Sequence, residues 1–221
     1  MSTDPIRLID VSRPLFGGAP HWPGDTPTEL AATARMADGA SCNVGRLSLS
    51  LHNGTHVDAP YHYAPRGVTM EKVPLEIFVG PARVVDARGS GAVTAALFEN
   101  LSPAEIAAAP RILFRTDAWT DPTVFPSTWP LLEPGLARWL AERGVCLIGV
   151  DVPSVDALKS RELPRHHEFD AARVIILENL DLTAAEPGVY ELLALPLAVV
   201  GADASPVRAV LRCGQAGLER T

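Results

Sequence analysis

The segment LHNGTHVDAPYHY, residues 51–63, constrains the chain more tightly than any other stretch. It holds His52, His56 and His62, half of the chain's 6 histidines, and Asp58 stands among them. Gly54, Thr55, Val57 and Pro60 lie between these polar groups, and that mixture opposes a helix. A helix would also set His52 and His56 on one face and turn Asp58 away from them. An extended path suits the spacing better. Positions 52, 56, 58 and 62 are all even, so an extended backbone turns all four toward one side. Asn53-Gly54 and Pro60 must bend that path.

The surrounding pattern predicts the frame. RLSLSL, just before the histidines, alternates strictly and reads as a strand with Leu47, Leu49 and Leu51 on one face and Ser48, Ser50 and His52 on the other. ARVVDA, RILFRT, VCLIGVD, RVIILE and LAVVGAD are short apolar runs rich in β-branched residues and read as buried strands. Ser102-Pro103-Ala104-Glu105 has the form of a capped helix start, with glutamate three residues after the capping serine. EPGLARWLAERG places Leu136, Trp139 and Leu140 on one helical face and stops at Gly144. Pro164 opens a further helix that carries His166 and His167. The 20 prolines and 17 glycines are scattered, so they punctuate turns instead of marking a linker. The expectation is an α/β fold, one domain over residues 1–221, with central mixed β-structure flanked by helices.

Composition narrows the function. A formal net charge of −7 argues against nucleic acid or an anionic membrane surface as partner. Cys42, Cys146 and Cys213 are odd in number and far apart, with no CxxC pair, which predicts free thiols and a reducing, cytoplasmic setting. MSTDPIRLIDVS lacks the basic and apolar regions of a signal peptide. Runs such as LLALPLAVVGA are too short to span a bilayer. No G-x-S-x-G elbow, P-loop or G-x-G-x-x-G is present, so serine hydrolase and nucleotide chemistry lack their motifs.

Imidazoles and carboxylates together are ligands that Zn²⁺, Mn²⁺ and Fe²⁺ accept. One histidine alone is more often a hydrogen-bonding residue, but His52, His56, Asp58 and His62 as a set read as a metal site. A carboxylate flanked by two histidines can serve one metal or bridge two. LPRHHEFDAARVIILEN supplies a second cluster, in which His166 and His167 sit near a helix start and Glu178 ends a strand. Strand ends of that kind are where α/β sites gather.

HNGTHVDAPYH resembles the H-x-G-T/A-H-x-D-x-P-x-H signature of the cyclase-like metal-dependent hydrolases. HWPGDTP, DVPSVD and DASPVRAVL are similar to other segments of that family, and in particular of its bacterial kynurenine formamidases. The resemblance implies a swivelling β/β/α-type domain, a homodimer and two Zn²⁺ per chain. It implies that His52, His56 and Asp58 serve one zinc and that Asp58, His166 and Glu178 serve the other, with the carboxylates bridging. His166 is preferred to His167 because it stands twelve residues before Glu178, as in the family. His62 is implied as the acid/base group and Trp22 as a lining of the substrate pocket.

The implied substrate is N-formyl-L-kynurenine, an aryl formamide, cleaved to formate and L-kynurenine. Leu51-His52-Asn53 departs from the Pro-His-Thr common in these formamidases, which leaves other amides, lactams or cyclic imides open, as in isatin hydrolases. A metal-binding protein without catalysis is the alternative from another class, and His62 speaks against it. Arg46 and Arg165 are candidate partners for the substrate carboxylate.

Overall fold

The computed structural model describes residues 7–213; residues 1–6, the first half of MSTDPIRLIDVS, lie outside the described residues. Thirteen strands occur in this span: β1 (Arg7–Asp10), β2 (Glu29–Ala34), β3 (Val44–Ser48), β4 (His56–Asp58), β5 (Val79–Asp86), β6 (Ala92–Val93) and β7 (Arg111–Arg115). They continue with β8 (Leu131–Leu132), β9 (Leu147–Val150), β10 (Ile175–Glu178), β11 (Gly188–Leu193), β12 (Ala204–Pro206) and β13 (Val210–Cys213). The α-helices are α1 (Pro103–Ala107), α2 (Leu136–Ala141) and α3 (Pro164–Ala172). Nine strands form one mixed sheet in the order β1-β13-β11-β5-β7-β9-β10-β4-β12. The fold is thus α/β, as expected, with fewer helical residues than the sequence pattern suggests.

The centre of the sheet is parallel, from β5 through β7 and β9 to β10. Every residue of β7, β9 and β10 is buried, which explains why these runs are almost continuously apolar. Their side chains divide between two cores. Leu113, Leu147, Ile175 and Leu177 enter one; Ile112, Phe114, Ile148, Val150 and Ile176 enter the other. That split follows the alternation of a strand. Gly149 is required in the middle of β9, because a Cβ there would stand 2.5 Å from Leu113 Cδ2 and 2.7 Å from Leu180 Cδ1. A bridge between Ser12 and Leu180 ties the segment after edge strand β1 to the segment after β10, so the sheet curls round.

The predicted start of α1 is present in full: Ser102 Oγ accepts from Glu105 N and the Glu105 carboxylate accepts from Ser102 N. Helix α3 begins at Pro164 as the sequence indicates. In α2, Leu136 and Leu140 are buried, and Gly144 takes a φ of 82° in the turn that follows.

One strand reading holds in part, over Arg46–Ser48, and one fails. β3 ends at Ser48 and pairs only with β2, in a separate hairpin where Leu47 is 52% exposed. Alternation there is not a core signal, because among the described residues the hairpin pairs with no further strand and most of its residues are exposed. LAVVGAD forms loop and turn, with Val200 84% exposed; strand β12 starts only at Ala204. Ala202 and Ala204 supply the buried anchors of that region.

Candidate metal centre

The thirteen-residue segment does not run as one strand. Only His56, Val57 and Asp58 are extended, as β4; His52 lies in a turn and His62 in a short 3₁₀ turn, Pro60–His62. The even-number parity therefore accounts for His56 and Asp58 alone. The intervening residues build the turn that brings His52 back. Asn53 is buried and donates from Nδ2 to Thr26 O at 2.9 Å and to Thr28 Oγ1 at 3.1 Å. Gly54 adopts φ 68°, and a Cβ would stand 2.7 Å from Leu15 Cδ2. Thr55 Oγ1 donates to Asn179 O at 2.6 Å and accepts from Arg13 N at 2.8 Å.

Sheet register then assembles the rest. His56 is the antiparallel partner of Glu178 on β10, and Asp58 is the partner of Ala204 on β12. Helix α3 presents His166, which is buried, while the adjacent His167 is exposed. His52 Nδ1 lies 3.2 Å from Asp58 Oδ1, and His56 Nε2 lies 3.4 Å from the same oxygen. His166 Nε2 lies 3.5 Å from Asp58 Oδ2 and 3.6 Å from Glu178 Oε1, and Glu178 Oε2 is 3.5 Å from His56 Nε2. Asp58 and Glu178 thus each face both groups with opposite oxygens.

These distances suit a cation better than they suit hydrogen bonds. Tetrahedral ligands at bond lengths of about 2.0–2.2 Å are separated by about 3.3–3.6 Å. His56 Nε2 and both Asp58 carboxylate oxygens are buried without a hydrogen-bond partner, a costly condition unless another group satisfies them. Each ligand-type histidine is also held from its far side. His56 Nδ1 donates to Gly54 O at 2.9 Å, His166 Nδ1 to Asp156 Oδ2 at 2.7 Å, and His52 Nε2 to Asp203 Oδ2 at 3.1 Å. Such outer contacts leave the inner nitrogen free as a lone-pair donor, as metal-binding histidines require.

Electrostatics point the same way. Burial opposes protonation of His52, but contacts with Asp203 and Asp58 outweigh it and raise its pKa to about 9. Burial is likewise overcome at His56 by Asp58 and Glu178, and at His166 by Asp156 and Asp58, raising each to about 10. Burial of Asp58 is outweighed by His166, His52 and His56, which hold it well below the usual carboxylate range. The carboxylates demand positive charge here, and divalent cations supply it in place of protons. His62 differs. Burial pushes its pKa down, helped by His52 and His166 and opposed by Asp58.

Residues 9–157 match the family described as putative cyclases. The chain belongs to the putative cyclase family. It is 44% identical over 204 residues to the kynurenine formamidase of Geobacillus thermodenitrificans (strain NG80-2), covering 92% of this chain and 96% of that one. The fold is similar to a solved potential metal-dependent hydrolase with cyclase activity, with a TM-score of 0.80 and 27% identity over 96% of this chain and 100% of the other. It is similar also to isatin hydrolase A from Ralstonia solanacearum, with a TM-score of 0.81 and 25% identity over 97% and 100% of the two chains.

In this cyclase-family chain the donor groups open on a cavity of about 440 Å³, whose lining includes His52, His62, His166 and Glu178, with Trp22 and Phe125 opposite in character. The volume lies in the range of about 300–1,000 Å³ common for small-molecule sites. Trp22 packs edge-on against Phe125, with centroids 5.8 Å apart, and against Trp129 at 6.2 Å. His62 stands at the cavity beside His52, with ring centroids 4.1 Å apart. Neither Arg46 nor Arg165 is among the lining residues; Arg165 pairs with Glu168 at 3.0 Å.

Sequence reading missed three contributors. Asp156 and Asp203 each hold a histidine, and Phe125 comes from the loop after β7. Asp156 and Asp203 lie in DVPSVD and DASPVRAVL, segments singled out as wholes, but nothing in the spacing tied either carboxylate to a particular histidine. Phe125 carries no motif.

Proposed function

We propose that the chain is a zinc-dependent arylformamidase that hydrolyses N-formyl-L-kynurenine to L-kynurenine and formate. The observation that carries this reading is the joining of two donor groups, sharing Asp58 and Glu178, with an aromatic-walled cavity that also holds His62. Kinship at 44% identity with a kynurenine formamidase supports the same substrate. In this reading His52, His56 and Asp58 hold one zinc, and Asp58, His166 and Glu178 hold a second. Zinc bound there would supply a water acidic enough to attack near neutral pH and positive charge against the developing oxyanion.

The chain's own residues do the remaining work. Trp22 and Phe125 receive the aryl ring, which orients the formyl group toward the histidine-rich side. The anilide nitrogen is a poor leaving group unless it gains a proton, and His62 is placed to give it. Asp156, Asp203 and the Gly54 carbonyl keep the three ligand rings from turning.

A single cyclase-like domain is supported by the pairing of β1 with β13, which draws both ends of the described chain into one sheet. A homodimer is supported by Leu30 and Leu47 on the β2–β3 hairpin, 66% and 52% exposed. A cytoplasmic setting is supported by free Cys42, Cys146 and Cys213. Among the described residues no helix is long and apolar enough to cross a membrane.

The test is direct. Purified chain is assayed for metal content and for release of L-kynurenine from N-formyl-L-kynurenine, with isatin as the competing substrate suggested by the similar fold. Turnover of the formamide above isatin supports the proposal. Hydrolysis of isatin alone transfers the site to the isatin-hydrolase reading.

A further inference from the structure

One Asp203 oxygen approaches both a ligand-type histidine and His62, the histidine assigned to proton transfer. Asp203 Oδ2 accepts from His52 Nε2 at 3.1 Å and lies 3.6 Å from His62 Nδ1. The two imidazoles lie against each other, with ring centroids 4.1 Å apart and planes tilted by 41°. The carboxylate is fixed by backbone as well as by these contacts. Asp203 immediately precedes β12, Ala204 is in register with Asp58, and Asp203 O accepts from Ala59 N at 2.9 Å. The strand that carries Asp58 therefore also sets the height of Asp203 beside it.

We propose that Asp203 is a positioning residue that serves two histidines with one carboxylate oxygen, an inference that rests on the metal-hydrolase reading above. Toward His52 it accepts the hydrogen bond from Nε2–H, which fixes the tautomer and turns Nδ1 to the Asp58 side. Toward His62 it attracts the Nδ1 edge of the ring, which leaves Nε2 as the atom that delivers a proton to substrate. The arrangement couples the metal side of the cavity to the proton-transfer side through a carboxylate that itself lines the cavity. The other two ligand-type histidines are held from their far sides by separate groups: Asp156 contacts His166, and the Gly54 carbonyl contacts His56.

The two halves are separable by substitution. Alanine at 203 removes both contacts. Asparagine keeps an oxygen that accepts from His52 but lacks the charge that attracts His62. Zinc affinity of metal-stripped chain is measured by competition with a chromophoric chelator, and turnover is measured at saturating zinc.

D203A should bind zinc about 10–100-fold more weakly than the native chain, the usual loss when an outer partner of a ligand histidine is removed. D203N should bind within a few-fold of native. D203N should nonetheless lose at least about tenfold in kcat on the formamide with KM little changed, as a weakened general acid does. In the H62A background that loss should vanish. Native zinc affinity in D203A overturns the His52 half. Native kcat in D203N, or losses that multiply in the double variant, overturn the His62 half. A native chain that binds no zinc overturns the functional reading as well, and is thereby distinguished from a failure of Asp203 alone.

Discussion

His56 and Glu178 are antiparallel partners across β4 and β10, and His56 Nε2 stands 3.5 Å from Glu178 Oε2. The other glutamate oxygen faces His166 Nε2 at 3.6 Å. One carboxylate at a strand end thus reaches both donor groups, and its charge faces each. Glu178→Gln keeps the shape and removes the charge. The expected outcome is a fall from about two bound metal ions per chain to about one, with spacing-dependent two-metal chemistry lost. Elemental analysis and formamide turnover check this together. A variant holding both ions at native turnover would remove Glu178 from the site.

His62 is expected to act on the leaving group. It lines the cavity, stands beyond the turn at Pro60 and is not needed to complete the His52, His56 and Asp58 group. His62→Ala should keep its metal and lose about 10²–10⁴-fold in formamide turnover, the usual worth of general acid–base assistance. The loss should shrink for a formate ester with a good leaving group, which departs without a proton. Asp58, His62 and His166 also form a compact donor group, so loss of one metal ion in the variant would reassign His62 as a ligand.

Trp22 and Phe125 form the apolar wall with an edge-on contact of 5.8 Å. Aromatic pairs of this kind contribute about 0.5–1.5 kcal/mol beyond the area they bury. Phe125→Ala should raise KM for the aryl formamide by roughly three- to tenfold and leave metal content unchanged. Trp22→Ala should do the same or more, because the larger indole removes more of the aromatic wall. Equal effects on an alkyl formamide would show that the wall excludes water without recognising an aryl ring.

The histidines and Asp58 were legible because metal ligands need particular atoms, and few residue types offer them. Glu178, taken alone, read as a solvated strand end, and only the family resemblance joined it to His166. The path between them was not legible. His52 reaches the site through a turn set by Asn53, Gly54 and Thr55, whose partners Thr26, Thr28 and Asn179 are distant in sequence. LAVVGAD has the composition of a buried strand, yet it forms a loop, because pairing with β4 begins only at Ala204. Leu47 alternates correctly in a hairpin that leaves it 52% exposed among the described residues. Periodicity reports local conformation, and burial depends on which elements arrive opposite.

Asp151 bears on stability more than on chemistry. It follows β9 and is buried, yet it binds no cavity group. Its carboxylate accepts from Thr116 N at 2.8 Å, Asp117 N at 2.9 Å and the Thr116 hydroxyl. Burial pushes its pKa up, and these donors resist that shift. Asp117 has φ 52°, a left-handed conformation that a non-glycine residue holds only with support. The carboxylate supplies that support at the start of the loop that carries Phe125 to the cavity. Asp151→Ala would leave Thr116 N and Asp117 N without their acceptor in a buried setting. Stranding such donors costs about 1–3 kcal/mol each, so about 3 kcal/mol is expected in total. At about 2–4 °C per kcal/mol for a chain of this size, Tm should fall by roughly 6–12 °C. Thermal unfolding followed by circular dichroism measures the shift, and a change under about 2 °C would mean that water replaces the carboxylate at little cost.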